Sequence, residues 1–249
     1  CGEEGLGHGF TARVGGVSPP PFDSLNLAWG KDAPPSDVRE NFRRMCAAAG
    51  VEWASMVFVN YEHGVAIRRV SAADCGRGVD REPLPFCDGL VTDVPGVTLI
   101  TSHADCAALF LFDPRRRAMG LAHAGWRGVL GRMGQRLARS LSAEYGSRPG
   151  DILAAVGPCI CGNCFEVDEA LGKEFAAEFP GVPLLKPGKP GKAYVDLEMP
   201  LAALFFDAGL RPEHITLMRC CTVEDESRLY SYRRDKENAG SMAAYMQLQ

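Results

Sequence analysis

No apolar run in this chain approaches the roughly 20 residues needed to span a bilayer, and none reads as the core of a signal peptide. A helical membrane protein is thereby excluded, and a soluble, cytoplasmic protein is expected. Excess positive charge is also lacking. Lys and Arg number 27 against 31 Asp and Glu, for a net charge of −4. The basic pieces Arg115–Arg117 and Arg233–Arg234 are too short to form a nucleic-acid footprint. Glycine is present, but no G-x-x-x-x-G-K-[ST] loop and no G-x-G-x-x-G opening a helix occurs, so a nucleotide P-loop is not supported. Ten cysteines in 249 residues are too sparse for a disulfide scaffold, and most are expected to be thiols in the core. The start at Cys1 without a methionine reads as a trimmed end rather than a lipidated cysteine. No internal repeat or low-complexity tract is present, and a monomer is expected.

With 46% hydrophobic side chains the chain can bury a large core, and a single α/β domain over residues 1–249 is expected. Gly9 to Gly16 begins as a strand and ends in a Gly-Gly turn. Asn26, between Leu25 and Leu27, reads as a turn residue satisfying its own backbone. Ser36 to Ala49 reads as a helix with Ser36 as N-cap, Val38, Phe42 and Met45 on one face and Gly50 as the stop. Ser71 to Leu84 is charged and Gly-containing, which predicts a mobile loop. After Trp126-Arg127-Gly128, the spacing of Leu130, Met133, Leu137, Leu141 and Tyr145 predicts a helix closed by Gly146, with an N-terminus able to receive an anion. Strands are expected at 55–60, 88–92, 97–101, 152–156 and 215–218, and helices at 168–179 and 197–208, the latter capped by Asp196. Lys186 to Lys192 reads as a loop.

The chain is organised around two stretches, Thr101-Ser-His-Ala-Asp-Cys106 and Leu121-Ala-His-Ala-Gly-Trp-Arg-Gly128. Each is an apolar run that ends in a thiol or an imidazole beside small residues, as a buried strand does where it opens into a site. The link Asp113-Pro-Arg-Arg-Arg-Ala118 is a turn. Ala107 to Phe112 and Ala118 to Ala122 are therefore expected to be adjacent strands, with Cys106 and His123 at the same edge. That pair suits either a metal site or a nucleophile with its base.

His63 follows a strand and precedes Gly64, which makes it a third ligand candidate, while His103 stands in an H-x-x-C spacing with Cys106 as a rival. Glu62 reaches the same site only if its strand has already ended. Cys159, Cys161 and Cys164 sit in a C-x-C-x-x-C run with no matching second half, so no metal is expected there and Gly157-Pro158 is read as a turn facing the pocket.

In this order, the motifs GFTARVGGVS (9–18), SLNL (24–27), EHG (62–64), ADC (104–106), AHAGWRG (122–128), GPCI (157–160), CFEV (164–167) and SYRRD (231–235) resemble the YfiH-like family. Those proteins are also called multicopper polyphenol oxidoreductases or laccase-domain proteins, and include purine-nucleoside enzymes of the FAMIN type. The resemblance, which runs nearly end to end, implies a single-domain layered α/β fold with mixed sheets. It also implies a catalytic zinc held by His63, Cys106 and His123, with Arg13 and Asn26 near the substrate. Two departures stand out: Tyr61-Glu62 replaces the family's common Gln-Val, and Ala239-Gly240-Ser241 replaces a TGR-type run.

The implied activity is zinc-dependent phosphorolysis of adenosine, inosine, guanosine or methylthioadenosine, with phosphate as the second substrate, together with adenosine deamination. A laccase needs several coppers, and the five histidines His8, His63, His103, His123 and His214 cannot supply a full set. Zinc is expected rather than copper. Alternatives are a peptidoglycan-editing enzyme, a Cys/His deamidase like the toxins of similar fold, with Cys106 as nucleophile and His123 as base, and a non-enzymatic zinc-stabilised interaction protein.

Overall fold

A computed structural model describes residues 5–29 and 33–249, so Cys1 lies outside the described residues. The fold is mixed α/β, with three sheets and six α-helices among the described residues. A six-stranded sheet has the order Ile215–Leu217, Leu153–Val156, Ala107–Asp113, Ala118–Ala124, Gly89–Thr92, Ile67–Arg69. Four strands, Leu6–Phe10, Met242–Leu248, Thr98–His103 and Met56–Phe58, form a second sheet. Both sheets mix parallel and antiparallel pairs. The third sheet, Leu185–Pro187, Lys192–Val195 and Glu166–Asp168, is antiparallel, so the segment read as a Lys186–Lys192 loop is a hairpin.

Strand alternation separates two cores. Ala108, Phe110 and Phe112 pack in the core shared with Leu99, Ile100 and Ala244 of the four-stranded sheet. Their neighbours Ala107, Leu109 and Leu111 pack on the opposite side with Leu137 and Leu141 of helix Met133–Tyr145 and Leu201 and Leu204 of helix Glu198–Asp207. A strand buried on both faces is apolar without interruption, which is why 107–112 carries no polar alternation. The layers are thus sheet, sheet and helices.

The expected pairing of 107–112 with 118–122 is present as an antiparallel hairpin, Asp113 accepting from the Arg115 and Arg116 amides to close the turn. Several local expectations are corrected. The first helix begins at Pro35, and Ser36 does not cap it; its hydroxyl bonds Asp37 instead. Proline at the start already suits a position whose N–H is unused. Gly50 does end this helix, in the left-handed conformation (φ 67°). The helix predicted after Gly128 is two helices, Trp126–Leu130 and Met133–Tyr145, broken where Arg132 is left-handed and Gly131 approaches Val65 so closely that a Cβ would lie 2.5 Å from its Cγ1. The N-terminus beside His123 is therefore that of a five-residue helix, and the anion expectation falls with it. Residues 71–84 are folded on themselves by a capping box at Ser71 and by Arg81 donating to the Ala73 and Cys75 carbonyls. The helix expected at 197–208 runs Glu198–Asp207 with Leu197 at its N-cap position, and Asp196, one residue earlier, accepts from the Glu198 and Met199 amides.

Candidate metal centre

Antiparallel register sets the first two donors. Ala107 faces Ala124 and Ala108 faces His123, so Cys106, one residue before its strand, lies at the end where His123 sits. His63 arrives from a different part of the chain, on the Tyr61–Gly64 segment that follows strand Met56–Phe58, and holds a left-handed backbone (φ 57°) uncommon for a residue with a Cβ. One ligand atom from each of His63, Cys106 and His123 lies within 4.8 Å of the others.

A residue not singled out in the sequence makes this convergence happen. The fully buried Asp88 carboxylate accepts from His123 Nδ1 at 3.0 Å through Oδ1, and from the Gly64 amide at 2.8 Å and the Glu62 amide at 3.3 Å through Oδ2. Its own carbonyl accepts from the His123 amide at 2.8 Å. Asp88 therefore fastens the His63 segment and the His123 strand to each other. It also fixes the His123 tautomer, leaving Nε2 for the cluster. Burial opposes charge on His123, but Cys106 and Asp88 beside it push its pKa up to about 9. His63 is shifted down by burial and by His123. Burial pushes Asp88 up, yet its bonds to His123 and Gly64 leave it below the ordinary carboxylate range.

Whether these donors fit a metal is decided by Gly125. A Cβ there would lie 2.9 Å from Cys106 Sγ, 3.7 Å from His63 Cδ2 and 3.9 Å from His123 Cε1, so the space the three donors share is kept clear by a missing side chain. Two imidazoles and a thiolate, one imidazole oriented by a carboxylate, suit a borderline-soft divalent ion with an open position. The rival His103 is engaged elsewhere. Its Nδ1 donates to the Cys106 carbonyl at 3.0 Å and its Nε2 accepts from Thr101 Oγ1 at 2.7 Å. Burial and the neighbouring His123 imidazole hold its pKa down to about 3.

The donors line a cavity of about 1030 Å³ built largely from loops and strand ends. Trp29, Phe58, Tyr61, Trp126, Phe165 and Tyr232 give it an aromatic wall, and its cationic side chains are Lys192 and Arg233. Lys192 is paired with Asp168 at 2.6 Å. Arg233 stacks over Phe165 and donates to the Glu166 carbonyl, while its amide donates to Asp105 at 2.6 Å. Tyr61 packs its ring 4.9 Å from that of His123 and donates its hydroxyl to the Ser102 carbonyl. Burial raises the Tyr61 pKa further, so it packs rather than titrates. Although strand 56–58 has ended before it, Glu62 is not on the cavity wall.

Arg13 and Asn26 also stand off that wall. Arg13 lies over the Tyr230 ring and holds the Asp23 and Glu226 carbonyls. Asn26 is fully buried. Its Oδ1 accepts from the Ala28 amide, the turn expected of it, and from the Ser241 amide. Both neighbours, Ala28 and Ser241, line the cavity. Asp88, Gly125 and Arg233 were missed in the sequence, where an Asp before a strand, one Gly among 28 and one of two adjacent arginines carry no distinguishing spacing.

Fold and site together define a layered α/β protein with a three-donor centre on the wall of a large cavity. Residues 7–249 match the family model described as multi-copper polyphenol oxidoreductase laccase, and the chain belongs to that family. The purine nucleoside phosphorylase of Deinococcus radiodurans is 39% identical over 241 residues, covering 97% of this chain and 88% of the relative. Purine nucleoside phosphorylase YlmD of Bacillus subtilis is 33% identical over 243 residues, covering 96% and 87%. The crystal structure of YlmD from Geobacillus stearothermophilus superposes with a TM-score of 0.94 at 31% identity, covering 99% of this chain and 93% of that one.

Proposed function

We propose that this chain is a zinc-dependent purine nucleoside phosphorylase, acting on adenosine, inosine, guanosine and methylthioadenosine with phosphate, and that it also deaminates adenosine. The observation that carries the reading is the convergence of His63, Cys106 and His123 on a cavity whose wall combines flat aromatic rings with a guanidinium. The names of the relatives support the substrate class. A multicopper centre is disfavoured by the donors. His8 and His214 line a separate cavity, His103 has both ring nitrogens occupied, and one three-donor group containing histidine remains among the described residues.

A divalent ion held by His63, Cys106 and His123 would supply Lewis-acid polarisation of a substrate oxygen. The protein's own groups do the rest. Asp88 holds the proton on His123 Nδ1 so that the other nitrogen presents its lone pair. Trp126 and Phe165 offer faces on which a purine stacks with water excluded. Arg233 holds phosphate by charge-assisted hydrogen bonds. An oxygen of hydrogenphosphate then bonds to C1′ as the N-glycosidic bond breaks and its electron pair passes to the base, and the proton that hydrogenphosphate gives up ends on the ring nitrogen of the departing base. Arg13 and Asn26 serve the substrate through the loops they hold.

The test is to incubate metal-quantified protein with adenosine, with and without phosphate, and to identify products by mass. Adenine and ribose 1-phosphate are expected only with phosphate, and inosine in either case. Chelation is expected to stop both reactions and added zinc to restore them. Turnover surviving complete zinc removal would refute the reading.

One observation favours a second reading. His123 lies between Cys106 and Asp88, the order of a thiol nucleophile, its base and an orienting carboxylate. A Cys/His hydrolase or deamidase would keep much of its activity in His63→Ala and would be indifferent to chelators, and its turnover would yield a trapped adduct on Cys106. Loss of turnover in both His63→Ala and Cys106→Ser, with zinc recovery of the native protein, selects the metal reading.

A further inference from the structure

The C-x-C-x-x-C run lacked a second half in sequence, and the tertiary structure supplies one. Cys161 and Cys164 stand on a tight turn in which the Cys164 and Phe165 amides both donate to the Cys161 carbonyl at 3.0 Å. Cys221 and Glu224 stand on another, closed by the Asp225 amide donating to the Cys221 carbonyl at 3.0 Å. The two turns are clasped by a parallel bridge between Cys159 and Cys221, with Cys159 donating to the Cys220 carbonyl and Thr222 to the Cys159 carbonyl, each at 3.2 Å. The result is two x₂-spaced pairs, C-G-N-C and C-T-V-E, facing each other.

We infer that Cys161, Cys164, Cys221 and Glu224 form a second, structural zinc site. One ligand atom from each of the four lies within 4.8 Å of the others. Tetrahedral bonds of about 2.3 Å to sulfur and 2.0–2.2 Å to oxygen give ligand-to-ligand edges of roughly 3.6–3.8 Å. Glu224 Oε1 is 3.4 Å from Cys161 Sγ and 3.5 Å from Cys164 Sγ, close to that edge before any ion draws the donors in. The Cys161 amide points at Cys221 Sγ at 3.4 Å, the N–H···S support that thiolate ligands receive from their turns. Three thiolates and one carboxylate close a tetrahedron and leave no open position, so the site is structural. Thiolates also select zinc over the oxygen-seeking cations. Cys159, by contrast, is a core residue and no part of the cluster.

Its place in the fold gives the site a purpose. Phe165 follows the first turn and lines the central cavity, and Thr222 on the second turn donates to Asp105, which in turn accepts from the amide of Arg233. An ion here would pin together two segments that build one cavity wall.

The test is metal stoichiometry, which does not depend on the proposed activity. Protein freed of metal under reductant is titrated with zinc against a chromophoric chelator. Two equivalents are expected for the native chain, one for His63→Ala, one for Cys164→Ser and none for the double variant. Glu224→Gln, an exposed change that removes one of the four ligands and spares the fold, is expected to weaken one equivalent by at least ~100-fold, no less than the loss of an outer partner costs. Cobalt in His63→Ala is expected to show the charge-transfer absorption of a multi-thiolate site. If the central zinc reading alone is wrong, one equivalent remains in His63→Ala and is lost in Cys164→Ser. A single equivalent lost in His63→Ala and kept in Cys164→Ser would overturn the second site, as would alkylation of Cys161, Cys164 and Cys221 at rates unchanged by zinc.

Discussion

Asp88→Asn isolates orientation from charge at the central site. In the native protein Oδ1 accepts from His123 Nδ1 while Oδ2 accepts from the Gly64 and Glu62 amides. An amide has one oxygen. If that oxygen keeps the backbone amides, its NH₂ faces His123 Nδ1, and two donors meet unless the imidazole proton moves to Nε2. That tautomer removes the lone pair a metal needs. If the oxygen instead keeps His123, the NH₂ opposes the part-buried Gly64 amide, and an unsatisfied donor costs up to about 1–3 kcal/mol. Either orientation loses. Because outer partners of metal-binding imidazoles are worth about 10- to 100-fold in affinity, zinc binding at the central site is expected to weaken by ~10- to 100-fold, and turnover at limiting zinc with it. The assay is a competitive zinc titration paired with thermal denaturation. Asp88→Ala is the harsher control. It strands the His123 and Gly64 donors together, on the order of 2–6 kcal/mol at 1–3 each, a large share of the roughly 5–15 kcal/mol that holds a domain folded. Asp88→Asn that folds normally and binds central zinc with native affinity would refute the tautomer reasoning.

Gly125→Ala places a methyl 2.9 Å from Cys106 Sγ at a backbone φ of −77° that alanine tolerates, so central metal binding should be lost while overpacking costs no more than about 1–3 kcal/mol; metal analysis beside a melting curve checks both. His103→Gln should leave zinc stoichiometry unchanged and lower stability by about 1–3 kcal/mol through its broken buried hydrogen bonds, and loss of an equivalent would restore His103 as a ligand. Arg233→Met should raise the KM for phosphate by about 10- to 100-fold, the worth of ~1.5–3 kcal/mol in bonds to a charged group, with a smaller change in the KM for nucleoside; steady-state kinetics varying each substrate in turn would show otherwise.

The hairpin that carries Cys106 and His123 was legible in the chain because both signals are local. Two uninterrupted apolar runs mark strands buried on both faces, and Asp113-Pro114 marks the turn that sets their register. Helix 35–49 was legible for the same reason, since its 3.6-residue spacing and Gly50 lie within one segment. The break at Gly131–Arg132 was not, because it answers to Val65 from a distant loop, and a periodicity continues across it undisturbed. His63 could be named as a candidate from its position before Gly64, but its arrival at the centre depends on Asp88, whose three acceptor contacts join residues far apart in the chain. The cysteines show the limit most clearly. Read along the chain, C-x-C-x-x-C is half a site, and no local rule pairs it with Cys221 and Glu224, 60 and 63 residues beyond Cys161. Local spacing determines which side chains share a turn or a strand end, because those distances are set by backbone geometry alone. Which turns face each other is decided by how the sheets and helices bury their apolar faces, and that is a property of the whole fold.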